Sequence, residues 1–200
     1  MGCDLHNKTY LWSKVENRYV DAFDLMIAYD IEKASTVWDL VPDREYDIYS
    51  AFGRPMMNCP EFGQPYPEMG RFKVGIPNLL VGTTFGKLVG SSGSGNFGYR
   101  WWLLPDLKAE IPRYVEILRD PELFFEDKEN ECYLDYKAGM FTRERFEEFN
   151  RDAISGMERV LERISSIETI LSSDTGSWTR DEISEAIEPE KTVFFFWFNS

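Results

Sequence analysis

Apolar positions alternate in short runs at both ends of the chain and recur every three or four residues through much of its second half. Near the N-terminus, CDLHNKTYLWSKV (3–15) reads as a strand with Tyr10, Trp12 and Val15 as its apolar positions. Glu16-Asn17-Arg18 is placed to turn it. At the C-terminus, KTVFFFWFNS holds six consecutive apolar residues, Val193 to Phe198, the pattern of a strand buried on both faces. Left exposed, such a strand invites aggregation, so it is expected to join a sheet beside the N-terminal strand.

Helical spacing is clearest over 143–172. Phe146, Phe149, Ala153, Met157, Val160, Ile164, Ile167 and Leu171 form one stripe, Thr142 is an N-cap, and Glu144, Glu147 and Glu148 suit the positive helix end. A continuous helix of that length spans roughly 45 Å. It needs a partner along its length, supplied by the core or by a second copy of the chain. A further helix opens on the capping box Thr179-Arg180-Asp181-Glu182 and ends before Pro189. YRWWLLPDL (99–107) is expected to begin a helical region, and Pro112 to start the helix RYVEILRD with Tyr114, Val115 and Leu118 on its apolar face.

The first half is less regular. Residues 19–29 fit a buried strand or a helix, 30–40 are weakly helical, and Tyr46, Tyr49 and Phe52 fall on one helical face. Residues 53–78 contain four glycines and five prolines, too many for a regular element. The Met56, Met57, Phe62, Tyr66, Met69 and Phe72 side chains of this loop are expected to pack over the domain's own core or over a partner. LLVGTTFGKLV (79–89) reads as a glycine-interrupted strand pair, and GSSGSGNFG (90–98) as a flexible loop. The expected fold is α+β: a mixed or antiparallel sheet from the N- and C-terminal strands, packed by a long C-terminal helix. The chain reads as one domain, with an α+β core over 1–135, a helical part over 136–190 and a returning strand over 191–200.

Composition narrows the classes. Apolar residues make up 43% and aromatics 16%, enough to fill a core. No apolar run approaches the ~18 residues of a membrane span, and no signal peptide opens the chain, so a cytoplasmic protein without a membrane partner is expected. Gly2-Cys3 does not complete an acylation pattern, because His6 stands where Ser or Thr is needed. Cys3, Cys59 and Cys132 are far apart and are expected to be reduced thiols. With 35 acidic against 22 basic side chains the net charge is −13, which opposes direct nucleic-acid binding and suits a basic protein partner.

Candidate chemistry is sparse. Asp4 and His6 lie two apart on a strand and share a face. A carboxylate beside an imidazole can begin a metal site or a proton-transfer pair, and the further ligands would have to be carboxylates or thiols. The structural alternative is an Asp–His hydrogen bond at a strand edge. No cofactor is expected, with a divalent metal on Asp4 and His6 as the one that this pair would admit. The glycine-rich loop lacks the Gly-Lys-Ser/Thr of a phosphate loop. Tyr99, Arg100, Trp101 and Trp102 are candidate binding residues, and the adjacent tryptophans face opposite ways on a strand, which leaves at least one for an interface. Arg44 and Arg54 are candidate phosphate clamps. The run 120–135, with seven acids and one lysine, fits a solvated loop or a phosphate-like charge array.

The hexapeptide Met1-Gly2-Cys3-Asp4-Leu5-His6 resembles the opening of a family of small phage and prophage proteins that begin MGCDIH. Weaker similarity follows at Arg44-Glu45-Tyr46-Asp47-Ile48-Tyr49 with Arg54, at Gly75-Ile76-Pro77, and at Trp102-Leu103-Leu104 with Asp106-Leu107. The chain departs from the family at Tyr10, where a Glu is usual, and at Tyr99-Arg100, where a His-Ser pair is usual. The resemblance implies a phage accessory protein and supplies no reaction. The expected function is therefore binding. An acidic phage protein would inhibit a host protein such as a CRISPR nuclease, in the manner of an anti-CRISPR, using Arg44, Arg54, Met56, Met57, Phe62, Tyr66 and Tyr99 to Trp102. Two alternatives are a metal- or nucleotide-dependent enzyme centred on Asp4 and His6, and a structural phage component that self-associates through 143–172.

Overall fold

The computed structural model describes residues 4–28, 58–59, 62–91, 95–174 and 177–199. In chain order the elements are β1 (Asp4–Ser13), β2 (Arg18–Asp21), α1 (Ala22–Ala28), β3 (Asn58–Cys59), β4 (Gln64–Pro65), β5 (Lys73–Val74), a 3-10 turn (Asn78–Leu80), α2 (Thr84–Val89), β6 (Asn96–Leu103), α3 (Leu104–Arg119), α4 (Pro121–Phe124), α5 (Glu131–Lys137), α6 (Arg143–Phe149), α7 (Arg151–Leu171), α8 (Arg180–Ala186) and β7 (Ile187–Asn199). Five strands form an antiparallel sheet in the order β2-β1-β7-β6-β5, and β3 with β4 makes a separate small pair.

The apolar run in β7 explains the layering. Its side chains point alternately to the two faces of the sheet. Phe194 and Phe196 pack with Leu11 and Trp102 against the helical layer, whose buried stripes are Leu107, Ile111, Tyr114 and Leu118 on α3 and Met157, Val160, Ile164 and Ile167 on α7. Val193 and Phe195 pack on the opposite face with Tyr10, Leu80 and Val89. Each fully buried Phe contributes about 1.5–3 kcal/mol of transfer free energy, so the strand needs both layers. The α+β fold and the pairing of the terminal strands are as the sequence implied.

Several elements differ from expectation. Residues 79–89 are not a strand pair but a 3-10 turn and α2. The Thr83 side chain caps α2 by accepting from the Gly86 N–H at 2.9 Å, while its hydroxyl donates to the Leu80 carbonyl at 2.7 Å. Tyr99 to Leu103 belong to β6 rather than to a helix, and the helix begins only at Leu104, with Pro105 in its first turn. Pro112 lies inside α3 instead of starting it. It costs one backbone hydrogen bond, and the buried stripe packed on α7 carries the helix through. The stripe over 143–172 belongs to two helices that meet at Asn150. That side chain turns inward, fully buried, and its Nδ2 donates to the Leu118 carbonyl at 3.0 Å.

β7 begins at Ile187, inside the segment expected to be helical. Its register against β1 shifts between Tyr10↔Val193 and Trp12↔Glu188. Pro189 falls in that shift and has no N–H to give to a ladder. Of the segment 19–29, residues 19–21 are strand and 22–28 helix, and residue 29 lies outside the described residues. The readings of 30–40 and 44–52 lie outside the described residues. Among the described residues, no helix is long and apolar enough to cross a membrane.

Candidate functional site

The face of the sheet away from the helical layer carries the sequence-nominated histidine. His6 pairs across the sheet with Trp197, and the two rings stack at 5.4 Å. Asp4 opens β1 opposite Asn199. Among the described residues, no three His, Cys, Asp or Glu side chains gather to hold a metal ion. Cys132 is half-buried, and its thiol is pushed up from its ordinary pKa by burial and then by Asp135 and Glu131.

Further along the same face of β1, Lys8 pairs with Asp21 of β2 at 2.6 Å, and its ammonium lies 4.4 Å from the centre of the Phe85 ring. The second Asp21 oxygen accepts the Phe23 N–H at 3.0 Å. Tyr10, directly opposite Asp21, is held protonated well above its ordinary pKa by burial and then by Asp21 and Asp24. These groups border a cleft of about 500 Å³ between β1, β2 and the Leu79–Phe85 segment. Sequence reading missed it. Lys8 and Tyr10 continue the alternation of His6, but only the β1–β2 register brings Asp21 to them.

The binding residues nominated in the loop and in β6 divide between two faces. Phe62 is fully buried in a ring cluster, 5.2 Å from Phe124 and 5.0 Å from Phe146, and Tyr66 lies edge-on to Phe124. Trp102 is fully buried, and its Nε1 donates to the Gly70 carbonyl at 2.9 Å. Arg100 is also buried. Its Nη2 donates to Glu68 at 2.8 Å, and the guanidinium lies over the Phe72 ring at 4.3 Å. On the opposite face, Tyr99 stacks on Phe195 and donates to the Val89 carbonyl at 2.6 Å. Lys73 lies 4.4 Å from the Trp101 ring on that face. Phe62, Trp102 and Arg100 therefore hold the 62–72 segment onto the domain's own core. Arg44, Arg54, Met56 and Met57 lie outside the described residues.

The segment is pinned further by Glu110 of α3, which is only 1% exposed. Its Oε1 accepts the Gly70 N–H at 2.7 Å and the Arg113 Nε–H at 2.8 Å.

The strongest electrostatic feature is on the helical side. Residues 120–190 carry 20 of the 35 acidic side chains and 8 of the 22 basic ones, so nearly all of the net charge of −13 resides there. Glu144, Glu147, Glu148 and Glu158 line a shallow cleft of about 350 Å³ between α6 and α7, shared with Arg119 and Arg151. Arg119 pairs with Glu158 at 2.8 Å and Arg151 with Glu148 at 3.2 Å. The Glu144 carboxyl is held below the usual carboxylate range by hydrogen bonds to its own N–H and to Thr142. Leu134, Met140 and Phe149 add exposed apolar surface within this acidic stretch. The signal was present in the sequence, in charge counted by segment rather than over the whole chain.

No known family model, curated protein or solved structure matches the chain.

Proposed function

We propose that the protein acts by binding another protein, and that the acidic surface carried by the described residues of 120–190 docks a basic patch on that partner. The supporting observation is the segregation of charge: residues 120–190 hold 20 acidic against 8 basic side chains. A surplus of one sign over one segment speeds encounter with an oppositely charged surface and disfavours like-charged competitors. Leu134, Met140 and Phe149 give that surface apolar contact area among the carboxylates.

A heterologous partner is favoured over self-association through 143–172. The apolar stripe of α7 is buried against α3 and β7, and a second acidic copy would repel the first. The opening hexapeptide, through its resemblance to phage proteins, points to a host protein as the partner. Inhibition of a defence component such as a CRISPR nuclease is the form that this reading takes.

The test is cross-linking in host lysate followed by mass spectrometry. The expected result is one basic protein linked to residues of 120–175, captured at about 50 mM salt and released at about 500 mM as screening shortens the reach of the charges. A partner that links only to the opposite face of the sheet, or one indifferent to salt, would refute the assignment of the surface.

A further inference from the structure

We infer that the cleft between β1, β2 and the Leu79–Phe85 segment is a binding site for a small organic cation, an amine carried on an apolar body. The site is independent of the acidic helical surface. Its volume of about 500 Å³ suits a small ligand. Leu25, Leu79, Leu80 and Phe85 supply the apolar part of the lining, and Tyr10 and Tyr19 add their phenol rings.

The charge of the lining selects the ligand. Each basic group of the cleft already has a carboxylate: Lys8 lies 2.6 Å from Asp21, and the Arg18 Nε donates to Glu16 at 2.7 Å. Asp24, on the first turn of α1, is the remaining carboxylate of the lining, and it joins no ion pair among the described residues. Three carboxylates thus face two cations. An ammonium beside Asp24 completes the pairing. An anion would have to draw Lys8 away from Asp21, leaving a mostly buried carboxylate short of a partner.

The cleft already holds one ammonium in the manner proposed. Lys8 Nζ rests 4.4 Å from the Phe85 ring centre and 6.0 Å from that of Tyr10, with the Asp21 carboxylate beside it. Aromatic faces with an adjacent carboxylate are the surroundings that favour a partly desolvated cation. Tyr10 stays neutral there, so it offers a ring face and a hydroxyl without adding charge.

Methyl and backbone NMR titration of the full chain with phenethylamine tests the site, with 3-phenylpropionate as the anion of matched shape. Phenethylamine is expected to shift Leu25, Leu79 and Leu80 saturably, and 3-phenylpropionate to bind at least about tenfold more weakly. Asp24 is exposed, so Asp24→Asn is expected to keep the fold and to weaken phenethylamine binding by about fivefold or more. Phe85→Leu, which keeps apolar volume and removes the ring, is expected to weaken it by about threefold or more. Absence of shifts at these residues, equal binding of the anion, or unchanged affinity in Asp24→Asn would each overturn the inference.

Discussion

Replacing Glu110 by alanine should release the 62–72 segment from the core. Glu110 is buried on α3 and joins two parts of the chain forty residues apart through the Gly70 N–H, while holding Arg113 of its own helix. The alanine variant loses the Gly70 bond and a charge-assisted bond to Arg113. A hydrogen bond to a charged group is worth about 1.5–3 kcal/mol. The Arg113 share is discounted because that side chain is half exposed and can be rehydrated. The total is about 3 kcal/mol, with the Gly70 bond as the larger part. Glu110→Gln keeps an oxygen for Gly70 and loses only the charge, so it should cost about 1 kcal/mol. With a urea dependence of about 2 kcal/mol per molar, the midpoint should fall by about 1.5 M in the alanine variant and about 0.5 M in the glutamine variant. Amide exchange at 68–72 should accelerate in the alanine variant alone. Equal losses in the two variants, or a loss below about 1 kcal/mol for alanine, would refute the reasoning that this carboxylate is the anchor.

Three further outcomes follow from the packing. Gly86→Ala should lower the melting temperature sharply, because the added Cβ runs into the Leu80 carbonyl; an unchanged melting curve would argue against the 3-10 turn and α2. Tyr114→Phe should leave stability unchanged or raise it in chemical denaturation, since the Tyr114 hydroxyl is buried with no hydrogen-bond partner among the described residues. Glu122 is held below its ordinary value of 4.5 by hydrogen bonds from Lys137 and then from Tyr133. Its folded-state pKa is therefore the lower one, so its contribution is complete above about pH 4.5 and is lost as the pH falls through the folded value. The acid limb of thermal stability should flatten in Glu122→Gln, and an unchanged limb would contradict the pairing.

The parts of the fold legible in the sequence are those where one strong local signal had no competitor. The run Val193 to Phe198 required burial on both faces, and the capping box at Thr179 appears with both of its reciprocal hydrogen bonds. The misread parts had two readings of equal local strength. Gly82 and Gly86 resemble breaks in a strand, yet Gly86 is the glycine that lets α2 approach the Leu80 carbonyl. Tyr99 to Leu104 suit strand or helix by periodicity, and Pro105, rather than Pro112, marks the helix start. The stripe over 143–172 passes through Asn150 in phase, so the junction shows only when the buried amide is seen on Leu118. Phe62, Arg100 and Trp102 had the composition of a binding surface and serve the core, because composition does not report which side of a segment faces inward. Lys8 and Asp21 needed strand register, which depends on pairing across the turn at Asn17, a residue in the left-handed conformation.

The acidic helical surface is tested most directly by the affinity for the cross-linked partner, measured by calorimetry across a salt series for the wild type and for a variant carrying Glu147→Lys and Glu148→Lys. Glu148 is largely and Glu147 partly exposed on α6, so the fold should persist. The expected result is an affinity at least about tenfold weaker in the variant, with a shallower dependence on salt. An unchanged affinity and an unchanged salt slope would contradict the account.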